Sequence, residues 1–331
     1  MTNYNWGIIG PGSIANKFAE ALVKSNQGKL LAIASRSVER GQEFAKRFGV
    51  ERVYSQYAEL MADPNIDIIY IATPHSHHFQ IAKQCLEVGK NVLLEKPLTI
   101  NAAQTRILID LAQIKGVLFQ EALWSRFMPC FAQVKAWLHA GKIGQLQYIQ
   151  SDIGFAFGGK PEHRLNNPLL AGGALLDLGV YSISISQFLL EQVPDRVQAI
   201  SHLGSSGIDE HTQVNMHFPC GKLSQFSCSI KAQCSNSMTL VGDLGRIHLP
   251  EHFWVGEQAQ LWCEGKLIET LKFPHQVNGF EYQIEESMAC IAQGKVCSDL
   301  MSHKDSLAVM RVMDEVRRQI GLKYTDELEM V

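Results

Sequence analysis

The sequence predicts an α/β fold in two parts. Three observations carry that reading. A short apolar strand runs into a glycine turn at the N-terminus, apolar strands then alternate with amphipathic helices to residue 122, and the strands beyond show strict two-residue alternation. Strands buried on both faces read as near-continuous apolar runs, whereas strands covered on one face alternate. A chain of 331 residues is long enough for about two domains, expected at 1–122 and 123–331.

The opening stretch is Trp6-Gly7-Ile8-Ile9-Gly10-Pro11-Gly12-Ser13-Ile14-Ala15, with a helix continuing through Phe18, Ala19 and Leu22. Gly10 permits a sharp turn and Gly12 lets the backbone approach a pyrophosphate. Ala15 stands where a small residue packs helix against strand, so the pattern is G-x-G-x-x-A. Free N–H groups at Ser13 and Ile14, at the positive end of the helix dipole, would hold the phosphates. Glycines also mark ordinary turns; the strand before and the helix after select the dinucleotide reading.

The second strand, Leu30–Ala34, ends in Ser35-Arg36-Ser37, where such a domain meets the adenosine ribose. No carboxylate occurs there before Glu39, and Arg40 follows one helical turn later. A carboxylate would repel a 2′-phosphate, while arginine grips one with a planar fork of donors. NADP is therefore the expected cofactor, with NAD as the alternative. A plainer reading has Ser37 capping the next helix and Arg36 solvated.

That helix is Val38–Phe48, followed by Val53-Tyr54, a helical piece at Tyr57–Met61 and the turn Asp63-Pro64-Asn65. The apolar run Ile66–Ala72 ends in Thr73-Pro74-His75-Ser76-His77-His78. The histidines lack partners at metal-ligand spacing, so no metal is expected, and Ser76 is placed to cap a helix over Phe79–Val88. A loop leaving the carboxyl end of a parallel strand borders the cofactor crevice, which puts Thr73, Pro74, His75 and His78 beside the cofactor. The next strand, Asn91–Leu94, delivers Glu95-Lys96-Pro97 to the same edge. Lys96, locked by the proline, is either a held functional amine or a surface lysine before a helix. Helix Ala102–Lys115 and strand Val117–Ala122 complete the first domain.

Beyond it, Leu123–Phe127 leads into a helix at Phe131–His139. Val214, Met216 and Phe218 then alternate with Gln213, Asn215 and His217, and Phe226, Cys228 and Ile230 with Ser227 and Ser229. The polar face is rich in Ser, Gln and Asn rather than Lys and Glu, which suits a mating surface, and a homodimer through this sheet is expected. Gly172-Gly173-Ala174-Leu175-Leu176-Asp177-Leu178-Gly179-Val180-Tyr181 opens an apolar helix that runs to Leu190. Asp177 and Tyr181, four apart, share a face beside Gly173 and Ala174. A polar pair is costly to bury without a purpose, although Asp177 could simply satisfy backbone donors. The loop Gly158–Ala171 is a candidate lid or wall, and helices at Tyr282–Gln293 and Leu307–Ile320 are expected to cover the sheet and the first domain.

A net charge of −3 leaves no basic footprint for nucleic acid. No apolar run approaches the roughly 18 residues of a membrane span. The first strand starts too early to leave room for a signal peptide. Eight scattered cysteines without a C-x-x-C pair suggest reduced thiols in a cytoplasmic protein.

The glycine turn, Thr73-Pro74, Glu95-Lys96-Pro97 and the Gly172–Tyr181 segment together resemble the glucose–fructose oxidoreductase/inositol dehydrogenase/MocA (Gfo/Idh/MocA) family over nearly the whole chain. The resemblance implies a Rossmann domain followed by an α/β domain with a large open mixed sheet. It also implies that Lys96 is the active-site lysine, that a cis peptide precedes Pro97, and that Asp177 is the family's aspartate. Many members carry histidine where this chain has Tyr181. Tyrosine there is similar to the branch of dimeric dihydrodiol and NADP-dependent D-xylose dehydrogenases. Glu121–Phe127 is similar to the dihydrodiol enzymes, which makes Trp124, Arg126 and Phe155 candidate pocket residues.

Oxidising a secondary alcohol removes a hydride from carbon and a proton from oxygen. A free tyrosine, with a pKa near 10, is too weak a base at neutral pH unless an ammonium stabilises its phenolate. The expected roles are Tyr181 as general acid/base, Lys96 as its activator and substrate clamp, and Asp177 as orienter; Lys96 carrying the proton itself is the variant. The expected reaction is hydride transfer between NADP and an alcohol or carbonyl of a sugar or cyclic diol. The alternatives are a cyclitol or keto-sugar substrate and a non-catalytic NADP-binding regulator, and a binding module would need no proton-transfer group.

Overall fold

The structure is a computed structural model and describes residues 3–157 and 163–331. The chain forms two compact units, one of residues 1–127, 275–306 and 331, the other of 128–274 and 307–330.

The first unit holds six parallel strands, β1 (Tyr4–Ile9), β2 (Gly28–Ala34), β3 (Arg52–Tyr54), β4 (Ile68–Ile71), β5 (Asn91–Glu95) and β6 (Phe119–Ala122), in the order β3-β2-β1-β4-β5-β6. The order reverses between β1 and β4, and ligands of such sheets bind outside the carboxyl ends at that point. Helices α1 (Ser13–Leu22), α2 (Val38–Phe48), α3 (Tyr57–Ala62), α4 (His78–Glu87) and α5 (Ala102–Lys115) connect the strands. Ser37 does cap α2, accepting the Arg40 N–H. Ser76 does not cap α4. A short helical turn, His75–His77, precedes that helix, and the Ser76 hydroxyl is buried with no partner among the described residues.

The core of this unit is aromatic. Phe18 of α1 stacks on Tyr70 of β4 at 3.7 Å and meets Trp6 at 5.3 Å and Phe280 edge-on at 6.4 Å. Ile284 and Met288 of α8 (Glu281–Ala292) join the same cluster. The first unit therefore reclaims residues far along the chain, where the sequence suggested one cut at 122. The sequence reading set α8 as cover for the sheet and the first domain, and its packing against Trp6 and Phe18 is the long-range contact that places it in the first unit.

The second unit is built on eight strands: β7 (Leu146–Gly154), β8 (Arg196–Leu203), β9 (Asp209–His217), β10 (Leu223–Ser229), β11 (Met238–Gly242), β12 (Gly245–Leu249), β13 (Gln258–Cys263) and β14 (Lys266–Lys272). Their order is β14-β13-β12-β11-β7-β10-β9-β8, with β7 and β10 parallel and the other neighbours antiparallel. This is the large mixed sheet that the resemblance implies. Helix α6 (Pro129–His139) precedes it, and α9 (His303–Ile320), whose first turn belongs to the first unit, and α10 (Asp326–Glu329) end the chain.

The inner sheet face meets a π-helical turn, Leu175–Gly179, that runs into α7 (Val180–Leu190). Serine pairs join helix to sheet, Ser182 to Ser151 at 3.0 Å and Ser186 to Ser224 at 2.8 Å. By length and composition the stretch Pro168–Leu190 is apolar enough to cross a membrane, contrary to the reading of the sequence. Its most apolar 18-residue window is 89% buried inside the protein, as a core helix is.

At the edge of the first sheet, Asp63 accepts hydrogen bonds from Arg52 (2.5 Å), Tyr54 (2.9 Å) and both the N–H and the side-chain amide of Asn65 (3.0 Å each). Burial alone would raise the carboxyl's pKa, but these donors outweigh it and hold the group well below the usual carboxylate range. A depressed folded-state pKa gives stability that is present above the unfolded value of about 4 and is lost as pH falls. Asp63→Asn should therefore lower stability by about 2 kcal/mol at pH 7. Urea titrations at a series of pH values should show the gap to wild type closing below about pH 4.

Candidate active site

In the first unit the carboxyl ends of β1, β4 and β5 present the predicted residues. Gly10 has φ +94°, and a Cβ there would lie 3.1 Å from the Ala72 carbonyl oxygen. The turn therefore stays bare, with its backbone open to a ligand. The Asn16 N–H bonds the Gly12 carbonyl, which leaves the amides of Ser13, Ile14 and Ala15 ahead of the first helical bond. The Thr73 and Ser76 hydroxyls are buried with no partner among the described residues. Amides at a helix start and unsatisfied hydroxyls suit phosphate and ribose oxygens, so this end of the sheet fits a dinucleotide.

Ser35 is buried and its hydroxyl accepts the Ser37 N–H at 3.2 Å. Arg36 is exposed, close enough to His77 that its charge, after burial, lowers that histidine's pKa. Arg40 is exposed too, but it donates to the Pro11 carbonyl at 3.1 Å, tying α2 to the glycine turn. Arg36 is thus the more available of the two for a 2′-phosphate.

His78, expected beside the cofactor, is fully buried. Its Nδ1 and Nε2 each lie 2.9 Å from a backbone carbonyl, those of Pro97 and Thr73. With both ring nitrogens engaged it offers nothing to a cofactor. It joins the two loops instead, and burial pushes its pKa down to about 4. His75 is also buried, with its ring edge-on to His78 at 5.7 Å. The Lys96–Pro97 peptide is cis. Ahead of it, the Glu95 carboxylate accepts the Tyr70 hydroxyl at 2.5 Å and the Lys96 N–H at 3.2 Å.

Trp124 and Arg126 lie in the first unit, not in the second domain where the sequence reading put them. Trp124 packs on Phe280 with ring centroids 4.7 Å apart. Arg126 is 5% exposed and pairs with Asp305 at 3.5 Å. Beside it, Glu121 accepts the Ser306 hydroxyl at 2.6 Å and the Leu98 N–H at 3.2 Å. Burial raises the pKa of Glu121 and lowers that of Arg126, and the two charges oppose those shifts in each other. Arg126 is thus held in a buried charge cluster and forms at most a floor to a pocket.

In the second unit the π-helical turn carries Asp177, and Tyr181 follows in α7. The i→i+5 bonding of this turn replaces the α-helical geometry that the four-residue spacing assumed. Asp177 accepts a two-pronged contact from Arg164, Nη1 to Oδ1 at 3.1 Å and Nη2 to Oδ2 at 3.3 Å. Tyr181 is 7% exposed, with its ring centroid 6.1 Å from that of Trp254. Trp254 meets Phe155 edge-on at 5.7 Å, and Phe155 meets Phe157 at 5.7 Å and His252 in a stack at 6.3 Å. Phe155 therefore belongs to an aromatic wall continuous with Tyr181. The sequence reading missed Arg164, His252 and Trp254; the aromatic density of His252-Phe253-Trp254 was the available signal. The proposed lid includes residues 158–162, which lie outside the described residues.

Residues 4–123 match the family described as "Oxidoreductase family, NAD-binding Rossmann fold", and 131–248 match the "GFO/IDH/MocA C-terminal domain". The chain belongs to the Gfo/Idh/MocA oxidoreductase family. Trans-1,2-dihydrobenzene-1,2-diol dehydrogenases of Danio rerio and Mus musculus are 34% and 31% identical to this family member, over 97% of this chain and 98% of each of theirs. Among solved structures, KijD10, a 3-ketoreductase from Actinomadura kijaniata in complex with NADP and TDP-benzene, superposes with a TM-score of 0.86 at 25% identity, covering 96% of this chain and 98% of its own.

The bare glycine turn gives the oxidoreductase a direct test. Gly10→Ala adds a methyl group at a left-handed φ against the Ala72 carbonyl, a strain on the order of 1–3 kcal/mol. A ~tenfold or larger rise in the Kd for NADPH is expected by fluorescence titration.

Proposed function

We propose that this family member is an NADP-dependent dehydrogenase of sugars or cyclic diols, with Tyr181 as its general acid/base. The observation that carries the reading is the setting of Tyr181: a phenol in an aromatic wall, one turn from an aspartate that an arginine already neutralises. Flat rings such as Trp254 and Phe155 stack on the face of a pyranose or a cyclic diene. The dihydrodiol dehydrogenases to which the chain is similar are named for the second of these. For the cofactor, Ser35 and Arg36 stand where an NAD site carries a carboxylate, which favours a 2′-phosphate.

In the oxidative direction Tyr181 takes the hydroxyl proton on its phenolate oxygen as the carbinol C–H bond breaks. A dinucleotide held at the Gly10 turn and the amides of Ser13 and Ile14 would supply the acceptor for the hydride that leaves this carbon. Lys96, held at its backbone by Glu95, lowers the cost of the phenolate and anchors the substrate oxygen. Asp177, fixed by Arg164, orients a neighbouring substrate hydroxyl.

The test mixes protein with NADP or NADPH and a panel of aldoses, dicarbonyls and trans-dihydrodiols, followed at 340 nm. Turnover of at least one sugar or diol is expected, with a lower KM for NADPH than for NADH. Silence across the panel leaves only nucleotide binding. Tyr181→Phe should lower kcat by ~100-fold or more with the KM for NADPH unchanged, and Lys96→Ala should do likewise. A Tyr181→Phe enzyme of near wild-type kcat would move the proton to Lys96.

We also propose a homodimer through the outer face of the second sheet. Gln198, Gln213, Asn215 and Gln225 line that face with few charges, and Ile200 and Leu223 stand 71% and 52% exposed among them. Light scattering at micromolar concentration should give twice the chain mass, and Ile200→Lys with Leu223→Lys should give monomers. Buried thiols at Cys85, Cys228 and Cys290 support a reducing, cytoplasmic setting.

A further inference from the structure

Asp209, at the start of β9, is fully buried. Its Oδ2 accepts the Leu175 N–H at 2.7 Å and the Thr212 hydroxyl at 2.9 Å. Thr212 is in turn 2.9 Å from the Ser201 hydroxyl, so the carboxyl is braced from β8 as well as β9. Its other oxygen has no partner among the described residues. Leu175 is the first residue of the π-helical turn that holds Asp177 and leads into Tyr181.

The surroundings are built around this carboxyl. Gly173 has φ +121°, and a Cβ there would lie 2.0 Å from Asp209 Oδ1. Gly172 is pressed in the same way on the carbonyls of Arg164 and Leu165, at 2.5 and 2.6 Å. The Tyr324 hydroxyl donates to the Gly172 carbonyl at 2.6 Å. The double glycine is thus the space that Asp209 and the Arg164 segment occupy. A helix start can be capped by a local Ser, Thr or Asn at little cost. A fully buried carboxyl from a strand 34 residues away is an expensive substitute, and it sits under the turn that carries the proposed chemistry.

We propose that Asp209 is a positioning residue of this site, an anchor that fixes the π-helical turn and through it the placement of Asp177 and Tyr181. The proposal rests on the oxidoreductase reading above. It predicts that the acceptor oxygen matters to chemistry and not to cofactor binding, because the dinucleotide contacts belong to the other unit. Burial also raises the carboxyl's pKa to about 7, so the acceptor is held at a site where ionisation is costly.

The experiment compares Asp209→Ala with Asp209→Asn in the full-length chain, by hydrogen-exchange mass spectrometry of the peptide over 173–181 and by kinetics with D-xylose and with trans-dihydrobenzenediol. Asp209→Ala should exchange that peptide tenfold faster or more and lose tenfold or more in kcat, with the KM for NADP within twofold of wild type. Asp209→Asn, which keeps an acceptor for Leu175, should exchange like wild type and retain a third or more of kcat. Wild-type exchange or wild-type kcat in Asp209→Ala overturns the proposal, and so does an Asn variant as impaired as the Ala variant. If Asp209→Ala does not fold, Thr212→Ala replaces it: a threefold or larger loss of kcat is expected, and an unchanged kcat overturns the proposal. If the wild-type chain turns over neither probe, the kinetics use whichever member of the panel above it does turn over; silence across that whole panel overturns the oxidoreductase reading instead, and the exchange comparison still decides whether Asp209 anchors the turn.

Discussion

The first unit depends on how two strand ends are held together. His78 sits between the carbonyls of Thr73 and Pro97, and so binds the loop after β4 to the loop after β5. With its pKa pushed down to about 4, the neutral imidazole donates to one of these carbonyls, and losing that bond would leave a buried acceptor unpaired at a cost of about 1–3 kcal/mol. A second buried contact runs parallel to it, since the Tyr70 ring stacks on Phe18 of α1 and its hydroxyl holds Glu95. The helix that would receive the pyrophosphate, the strand beside it and the residue before Lys96 are therefore one packed assembly. A shift in any of them is felt by the others, because the space between is filled by aromatic rings.

The second unit solves a different problem. It must hold a phenol and a carboxylate, Tyr181 and Asp177, on a helix that is otherwise apolar, with both side chains themselves buried. It does so by opening that helix as a π-helical turn, a form found often at functional sites and rarely elsewhere. Irregular backbone of this kind persists only where its surroundings over-determine it. Here they do: Asp209 holds the first amide, Arg164 holds the Asp177 carboxylate, and the serine pairs bind the following turns to β7 and β10.

What could be read from the sequence was local. Gly10, Gly12 and Ala15 announce their turn because the spacing itself carries the geometry, and Ile68–Ile71 announces a buried strand because both of its faces are apolar. Lys96 stood out as a lysine locked by a proline at a strand end and Tyr181 as a polar residue on an apolar helix, but their assignment to an active site came from the resemblance. Residues that act through distant partners left no such mark. His78 reads as one of several histidines in a loop, and only the fold shows that both of its nitrogens are engaged. Arg164 reads as a loop residue, Asp209 as a strand residue, and α8 as a cover helix, though it completes the core around Phe18. Ser76 fitted a capping rule that failed because a turn of tighter helix intervenes at His75–His77.

The charges around Tyr181 bear on why a tyrosine could serve here at all. A free phenol ionises near pH 10, and a carboxylate one turn away would make ionisation harder still. Arg164 cancels that carboxylate with a two-pronged contact, so the repulsion is removed without giving up the hydrogen-bonding oxygens of Asp177. Neutralising a negative charge does not create a base, however. Trp254 and Phe155 add apolar surface and no cation. The proposed role of Lys96 is to supply a positive charge to the Tyr181 phenolate, and its backbone N–H is held by the Glu95 carboxylate. A histidine in place of Tyr181 would titrate near neutrality unaided, whereas a tyrosine requires the lysine. A pairing of phenol and ammonium, as proposed above, would account for the choice of tyrosine at this position.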